Sequence, residues 1–219
     1  MIFSKGDKLL MIGDSITDCD RKRPYGEGLF EGLGKGYVAL IDALINVMQP
    51  DLGLRIVNMG ISGNTVKDLK NRWQTDVMDL NPDWLSIMIG VNDVWRQFDQ
   101  PQIRESHVYL DEYERTLREL VHQTKPSVKG IILMTPFYIE PLRMDAMRSM
   151  MDRYGSVVKS LAAETGSLFV DTQAAFDDLM TSIYPATLAW DRVHPNATGH
   201  MAIAKAFLNV TGFRWREGA

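Results

Sequence analysis

Alternation is the feature that most narrows what this chain can fold into. Short, mostly apolar runs at Leu9–Ile12, Leu54–Asn58, Trp84–Ile89, Gly130–Met134 and Leu168–Val170 each end in a glycine or polar turn, and longer segments separate them. Tyr37–Met48 reads as a helix with Val38, Leu40, Ile41, Leu44, Ile45 and Met48 along one apolar stripe. Further helices are expected over about 65–80, 111–123, 146–164, 172–181 and 197–209, whereas a polar turn beginning at Gly90 and a long connection through His107 are expected after the third run. A run too short for a helix and apolar on both sides reads as a strand that must be shielded twice. The pattern therefore predicts an α/β fold with a mainly parallel central sheet and helices on both faces. No serine- or proline-rich linker and no shift in composition interrupts the 219 residues, so a single domain over 1–219 is expected. Function in such a fold belongs in the loops at the carboxyl ends of the strands.

Composition removes several classes. Hydrophobic residues at 45% and charged residues at 24% suit a packed core, and a net charge of -4 lacks the basic footprint of a nucleic-acid binder. Cys19 is the one cysteine, so neither a disulfide framework nor a cysteine metal cluster is available, and the 4 histidines have no metal-ligand spacing. No metal or cofactor is called for. The N-terminus lacks the features of a secretion signal and no apolar run reaches the ~18 residues of a membrane span, so a cytoplasmic protein without membrane association is expected.

Ser15 follows the first apolar run within Gly13-Asp14-Ser15. A serine in such a turn is more often a cap than a nucleophile, and attack by its hydroxyl requires a base. Asp191 and His194, three positions apart, offer one: the aspartate can hold the imidazole tautomer while the other ring nitrogen takes the Ser15 proton. The loops after the second and third runs contain Gly63 and Asn92, whose backbone N–H and side-chain amide could join the Ser15 N–H around an oxyanion. Asp14, Asn64 and Asp93 read as organisers of these loops, and Asn196 as a helix cap.

Taken together, Gly13-Asp14-Ser15, the Gly60–Gly63 loop, Gly90-Val91-Asn92-Asp93 and Asp191-Arg192-Val193-His194 resemble the ordered blocks of the SGNH, or GDSL, hydrolases. The resemblance implies a flavodoxin-like three-layer α/β/α sandwich, Ser15 as nucleophile, His194 as general base and later acid, Asp191 as its orienting partner, and an oxyanion hole from Ser15, Gly63 and Asn92. Ile16 stands where the name motif has leucine, a conservative change. The longer segments Ile12–Cys19, Asn58–Leu69, Ile87–Gln97, Gly130–Glu140 and Leu188–Pro195 are similar to a group of bacterial intracellular acetylxylan esterases. That similarity implies removal of acetyl groups from xylan or xylo-oligosaccharides through an acetyl-enzyme.

Three readings stay open at this stage: the sugar deacetylase, another lipase, thioesterase or arylesterase of the same family, and a non-catalytic carbohydrate-binding protein on the same fold. Trp95, Arg96, Tyr138 and Trp190 are candidate substrate contacts, because aromatic faces stack on pyranose rings and arginine donates to sugar oxygens. Packing or solvated roles compete for each of them. The expected partner is an acetylated xylose-containing oligosaccharide, with homo-oligomerisation through loop aromatics and methionines as a further expectation.

Overall fold

Leu9, Leu10, Met11 and Ile12 are completely buried, as a central strand with helices on both faces requires. They belong to β1 (Lys8–Gly13), and the remaining strands are β2 (Arg55–Asn58), β3 (Trp84–Met88), β4 (Gly130–Met134) and β5 (Leu168–Val170). The structure is a computed structural model that describes residues 1–215. All five strands are parallel, in the order β2-β1-β3-β4-β5. This is the flavodoxin-like order, with the sheet reversing direction of growth beside β1.

The helices are α1 (Ser15–Asp18), α2 (Tyr37–Met48), α3 (Val66–Trp73), α4 (Val91–Asp99), α5 (Leu110–Thr124), α6 (Ala146–Thr165), α7 (Thr172–Met180) and α8 (Ala197–Val210). α2 and α7 pack on α8, while α3 and α6 pack on α5 and α4 packs on α6, which gives the helical layers on the two faces. Caps explain several starts. Thr65 and Asp68 form a reciprocal capping box on α3, and Asn196 Oδ1 accepts from Thr198 N–H at 3.0 Å and Gly199 N–H at 3.2 Å on α8.

Two expectations need correction. The polar turn and long connection after Gly90 are in fact interrupted by α4, whose apolar Val91, Val94, Trp95 and Phe98 follow the helical spacing i, i+3, i+4, i+7. Gly90 sits at φ 131° on the threshold of that helix, where a side chain would also press on Pro136 and Tyr113. The helix expected over about 65–80 keeps α geometry only to Trp73 and finishes as a wider π turn over Gln74–Met78.

Candidate active site

The sheet order brings three sequence-distant loops to one edge. β1 lies between β2 and β3, with Met11 opposite Asn58 and Gly13 opposite Met88, so the loops carrying Ser15, Gly63 and Asn92 emerge side by side. Ser15 is the first residue of α1. Asp14 caps that helix, its Oδ1 accepting from Ile16 N–H at 3.0 Å, and is almost wholly buried. Burial pushes the Asp14 carboxyl up to about 7, against the opposing pull of the Ile16 N–H and of His194. Its place is to hold the turn.

Ser15 Oγ lies 2.8 Å from His194 Nε2, and His194 Nδ1 lies 2.6 Å from Asp191 Oδ2. Asp191 Oδ1 also accepts from the backbone N–H of Val193 at 3.0 Å and of His194 at 2.8 Å. Burial raises the Asp191 pKa, but the His194 ring and these two N–H groups outweigh it and hold the carboxyl below its ordinary range. An ionised carboxylate only accepts, so the proton between the pair belongs on Nδ1 and Nε2 is left as the acceptor for the Ser15 hydroxyl. This is the geometry of an activated serine.

On the opposite side, Ile61 N–H donates to Gly13 O at 3.1 Å, tying the Gly63 loop to the end of β1. Gly60 allows that approach, since a Cβ there would stand 2.2 Å from Asp18 N. Gly63 has φ +83°, and a Cβ on it would meet nothing within 4 Å, so its conformation rather than crowding calls for glycine. Asn92 is buried in the first turn of α4 and its Nδ2 donates to Asn64 O at 3.0 Å.

Several residues that sequence reasoning passed over hold this edge together. Arg72 donates from Nη2 to Gly13 O at 3.1 Å, from Nη1 to Met59 O at 2.8 Å and from Nε to Asn64 Oδ1 at 2.7 Å, so one guanidinium fastens the loops that carry Ser15 and Gly63. Asp18 Oδ2 accepts from Ser62 N–H at 3.0 Å and from Arg23 at 2.5 Å. Asp93, by contrast, has the loop-organising place its sequence position suggests: its Oδ1 accepts from Val66 N–H at 3.0 Å and joins the start of α3 to α4. Burial raises its pKa to about 8. Arg192, between the two relay residues, has φ 63°, pairs with Glu140, and accepts at its carbonyl from Ile139 N–H at 2.9 Å. The Glu140–Arg192 pair spans 52 positions and leaves no local signature.

The candidate substrate contacts lie around this centre in different ways. The Trp95 ring is 5.8 Å from the His194 ring at an interplanar angle of 60°, forming a wall of the site. Trp190 is 92% exposed immediately before Asp191, so its face is open. Tyr138 borders the Arg192 loop and is held by Gln173, which accepts from its N–H at 2.8 Å. Arg96 turns along α4 towards Asn92, with Nη2 at 3.2 Å from Asn92 Oδ1. His107 is buried with Nε2 3.0 Å from Gln100 O.

Comparison with known proteins agrees with this geometry. The chain is 64% identical over 215 residues to an acetylxylan esterase of Geobacillus stearothermophilus, covering 98% of both chains. The crystal structure of Axe2, an acetylxylan esterase from Geobacillus stearothermophilus, superposes with a TM-score of 0.98 at 62% identity and full coverage of both chains. Its catalytic mutants include S15A, D191A and H194A, at numbers where this chain carries serine, aspartate and histidine. LAE5, an alpha/beta hydrolase enzyme from the metagenome of Lake Arreo, Spain, superposes with a TM-score of 0.96 at 55% identity over 97% of this chain and 98% of its own. With residues 11–202 matching the family as well, the chain belongs to the GDSL-like Lipase/Acylhydrolase family.

Proposed function

We propose that this protein is a serine esterase that removes acetyl groups from acetylated xylo-oligosaccharides through an acetyl-enzyme. The observation carrying the chemistry is the unbroken relay from Ser15 Oγ to His194 Nε2 at 2.8 Å and from His194 Nδ1 to Asp191 at 2.6 Å. The sugar substrate is supported by end-to-end likeness to an acetylxylan esterase.

Ser15 Oγ attacks the acetyl carbonyl carbon as its proton passes to His194 Nε2. The carbonyl oxygen becomes negative and is received by the N–H groups of Ser15 and Gly63 and by Asn92 Nδ2. Asp191 stabilises the imidazolium that forms. His194 then protonates the departing sugar oxygen, leaving acetyl on Ser15. A water enters, gives its proton to the same nitrogen and attacks the acetyl carbon; acetate leaves as His194 returns the proton to Ser15.

The leaving-group side of the site is open to a bulky alcohol. The His194 and Asp191 side chains are 46% and 36% exposed, so a sugar chain can approach the leaving-group side without an enclosed channel. The Trp95 wall and the open Trp190 face are the aromatic surfaces available to a pyranose.

The test is acetate release from acetylated xylo-oligosaccharides, with product masses resolved, alongside a matched series of acetyl and longer-acyl esters. Wild type is expected to deacetylate the sugars and to favour acetyl, and Ser15→Ala to release none. A strong preference for long acyl chains with no sugar deacetylation would overturn the substrate and leave the relay chemistry standing.

A further inference from the structure

Asn92 presents an amide whose two ends look alike in shape and opposite in chemistry. Nδ2 carries two hydrogens and only donates, whereas Oδ1 only accepts. Rotation of the amide by half a turn would put an acceptor where the oxyanion forms. Something must hold it one way.

The neighbours of Asn92 are each limited to one role. Asn64 O, a carbonyl, can only accept, and it lies 3.0 Å from Nδ2. Arg96 Nη2, part of a guanidinium, can only donate, and it lies 3.2 Å from Oδ1. Reversing the amide would set donor against donor and acceptor against acceptor. The native orientation leaves the second Nδ2 hydrogen without a claim from Asn64.

Arg96 is itself fixed. One turn of α4 places it above Asn92, its Nη1 pairs with Asp99, and its Cζ lies 4.8 Å from the centre of the Trp95 ring. Trp95 in turn stands against the His194 ring. Asn64 is fixed from the other side, since its Oδ1 accepts from Arg72 Nε at 2.7 Å. The amide is therefore gripped between two arginine-anchored partners.

We infer that Arg96 is a positioning residue of the oxyanion hole: by donating to Asn92 Oδ1 it fixes the amide so that an Nδ2 hydrogen faces the developing oxyanion. The inference rests on the reading of Asn92 as an oxyanion donor. A cation on the oxygen end of an amide also draws electron density from its nitrogen and makes the N–H a better donor. Arg96 thus acts through Asn92, and its effect belongs to the transition state rather than to sugar binding.

The experiment is a double-mutant cycle on Arg96→Gln and Asn92→Ala, with Arg96→Lys as the conservative variant. Steady-state rates are measured on an aryl acetate, which has no sugar oxygens, and on acetylated xylo-oligosaccharide. Arg96→Gln is expected to lower kcat about tenfold on both substrates with little change in KM. That loss is smaller than the roughly 10²–10³-fold expected for removing the Asn92 donor itself. Arg96→Lys should recover part of it, because a lysine can still donate to Oδ1 but lacks the planar fork. In the Asn92→Ala background, Arg96→Gln should cost less than about twofold, since groups acting as a unit are not additive.

Equal Arg96 effects in the two backgrounds, or a loss confined to KM on the sugar substrate, would overturn the inference while leaving Asn92 as donor. An Asn92→Ala enzyme with unchanged kcat on both esters would overturn the reading of Asn92 and the inference with it. The thermal unfolding midpoint of each variant separates these results from a general loss of structure.

Discussion

Ser15 stands at the junction of a buried strand and a helix, with the N-cap Asp14 before it, whereas Asp191 and His194 lie in residues 188–196, a run of turns and bends outside any helix or strand. The nucleophile half is set by local rules: a strand end, an N-cap, glycines where loops touch, and the neighbouring strands of one sheet. The relay half is held by tethers. Leu188 and Val193 anchor it in the core, Asn196 N–H closes back on Leu188 O at 2.8 Å, and Arg192 is pinned to Ile139 and Glu140. The backbone frame of the first half should therefore fail only when the fold fails, while that of the second can lose geometry in an otherwise intact protein.

The largest effect expected within the relay half comes from Asp191→Asn. An amide in place of the carboxylate can leave the loop in place but no longer enforces the tautomer, and in a comparable serine relay that change costs about 10⁴ in kcat. The comparison is broken if the variant unfolds at much lower temperature than wild type, because the loop would then be part of the global fold. Rate and unfolding midpoint on the same preparation decide it.

Acid should act on the nucleophile half through stability. His200 on α8 is buried behind α1, with Nδ1 accepting from Tyr37 N–H at 3.2 Å and Nε2 3.6 Å from Cys19 Sγ, while Tyr37 Oη lies 3.0 Å from Thr17 Oγ1. Burial, and secondarily the His194 charge, lowers its pKa to about 4 from an ordinary value near 6.5. The unfolded chain takes up this proton first on acidification. The contribution is therefore present above pH ~6.5 and is lost as pH falls towards 4, by roughly 2 kcal/mol at pH 5. Subtracting the pH profile of His200→Gln from that of wild type isolates this slope from the carboxylates, and a flat difference between pH 6.5 and 4 would refute it.

A smaller effect is expected from Glu140→Gln. Arg192 occupies the left-handed region, which costs a non-glycine residue about 1 kcal/mol or more, and the Glu140 pair helps keep it there. Weakening the pair should slow turnover about tenfold, within what a slight misplacement of catalytic groups costs. The unfolding midpoint should hardly move. Unchanged turnover would show that Ile139 and the buried anchors suffice.

The same contrast explains what could be read before the structure. β4 and β5 have the expected bounds, and β1 differs by one residue at each end, because a buried parallel strand writes a continuous apolar run into the chain. Ser15 and its relay partners were identifiable through their ordered blocks. α4 was missed because Gly90, Asn92 and Asp93 are turn-forming types, although its i, i+3, i+4, i+7 apolar spacing was available. Arg72, Asp18 and the Glu140–Arg192 pair could not be recognised, since a surface-type arginine or carboxylate gains its role only when remote backbone atoms arrive beside it. Arg96 reads from the sequence as a candidate sugar contact with a solvated role competing, and its donation to Asn92 Oδ1 from one turn along α4 leaves no sequence signal of its own.

The most direct measurement is acid quench of the enzyme during turnover of an acetyl ester, followed by mass analysis of the peptide bearing Ser15. The account expects a mass gain of one acetyl group on Ser15, absent from Ser15→Ala. Rapid acetate release with no acetyl on that peptide, or acetyl carried by another residue, would contradict Ser15 as the nucleophile.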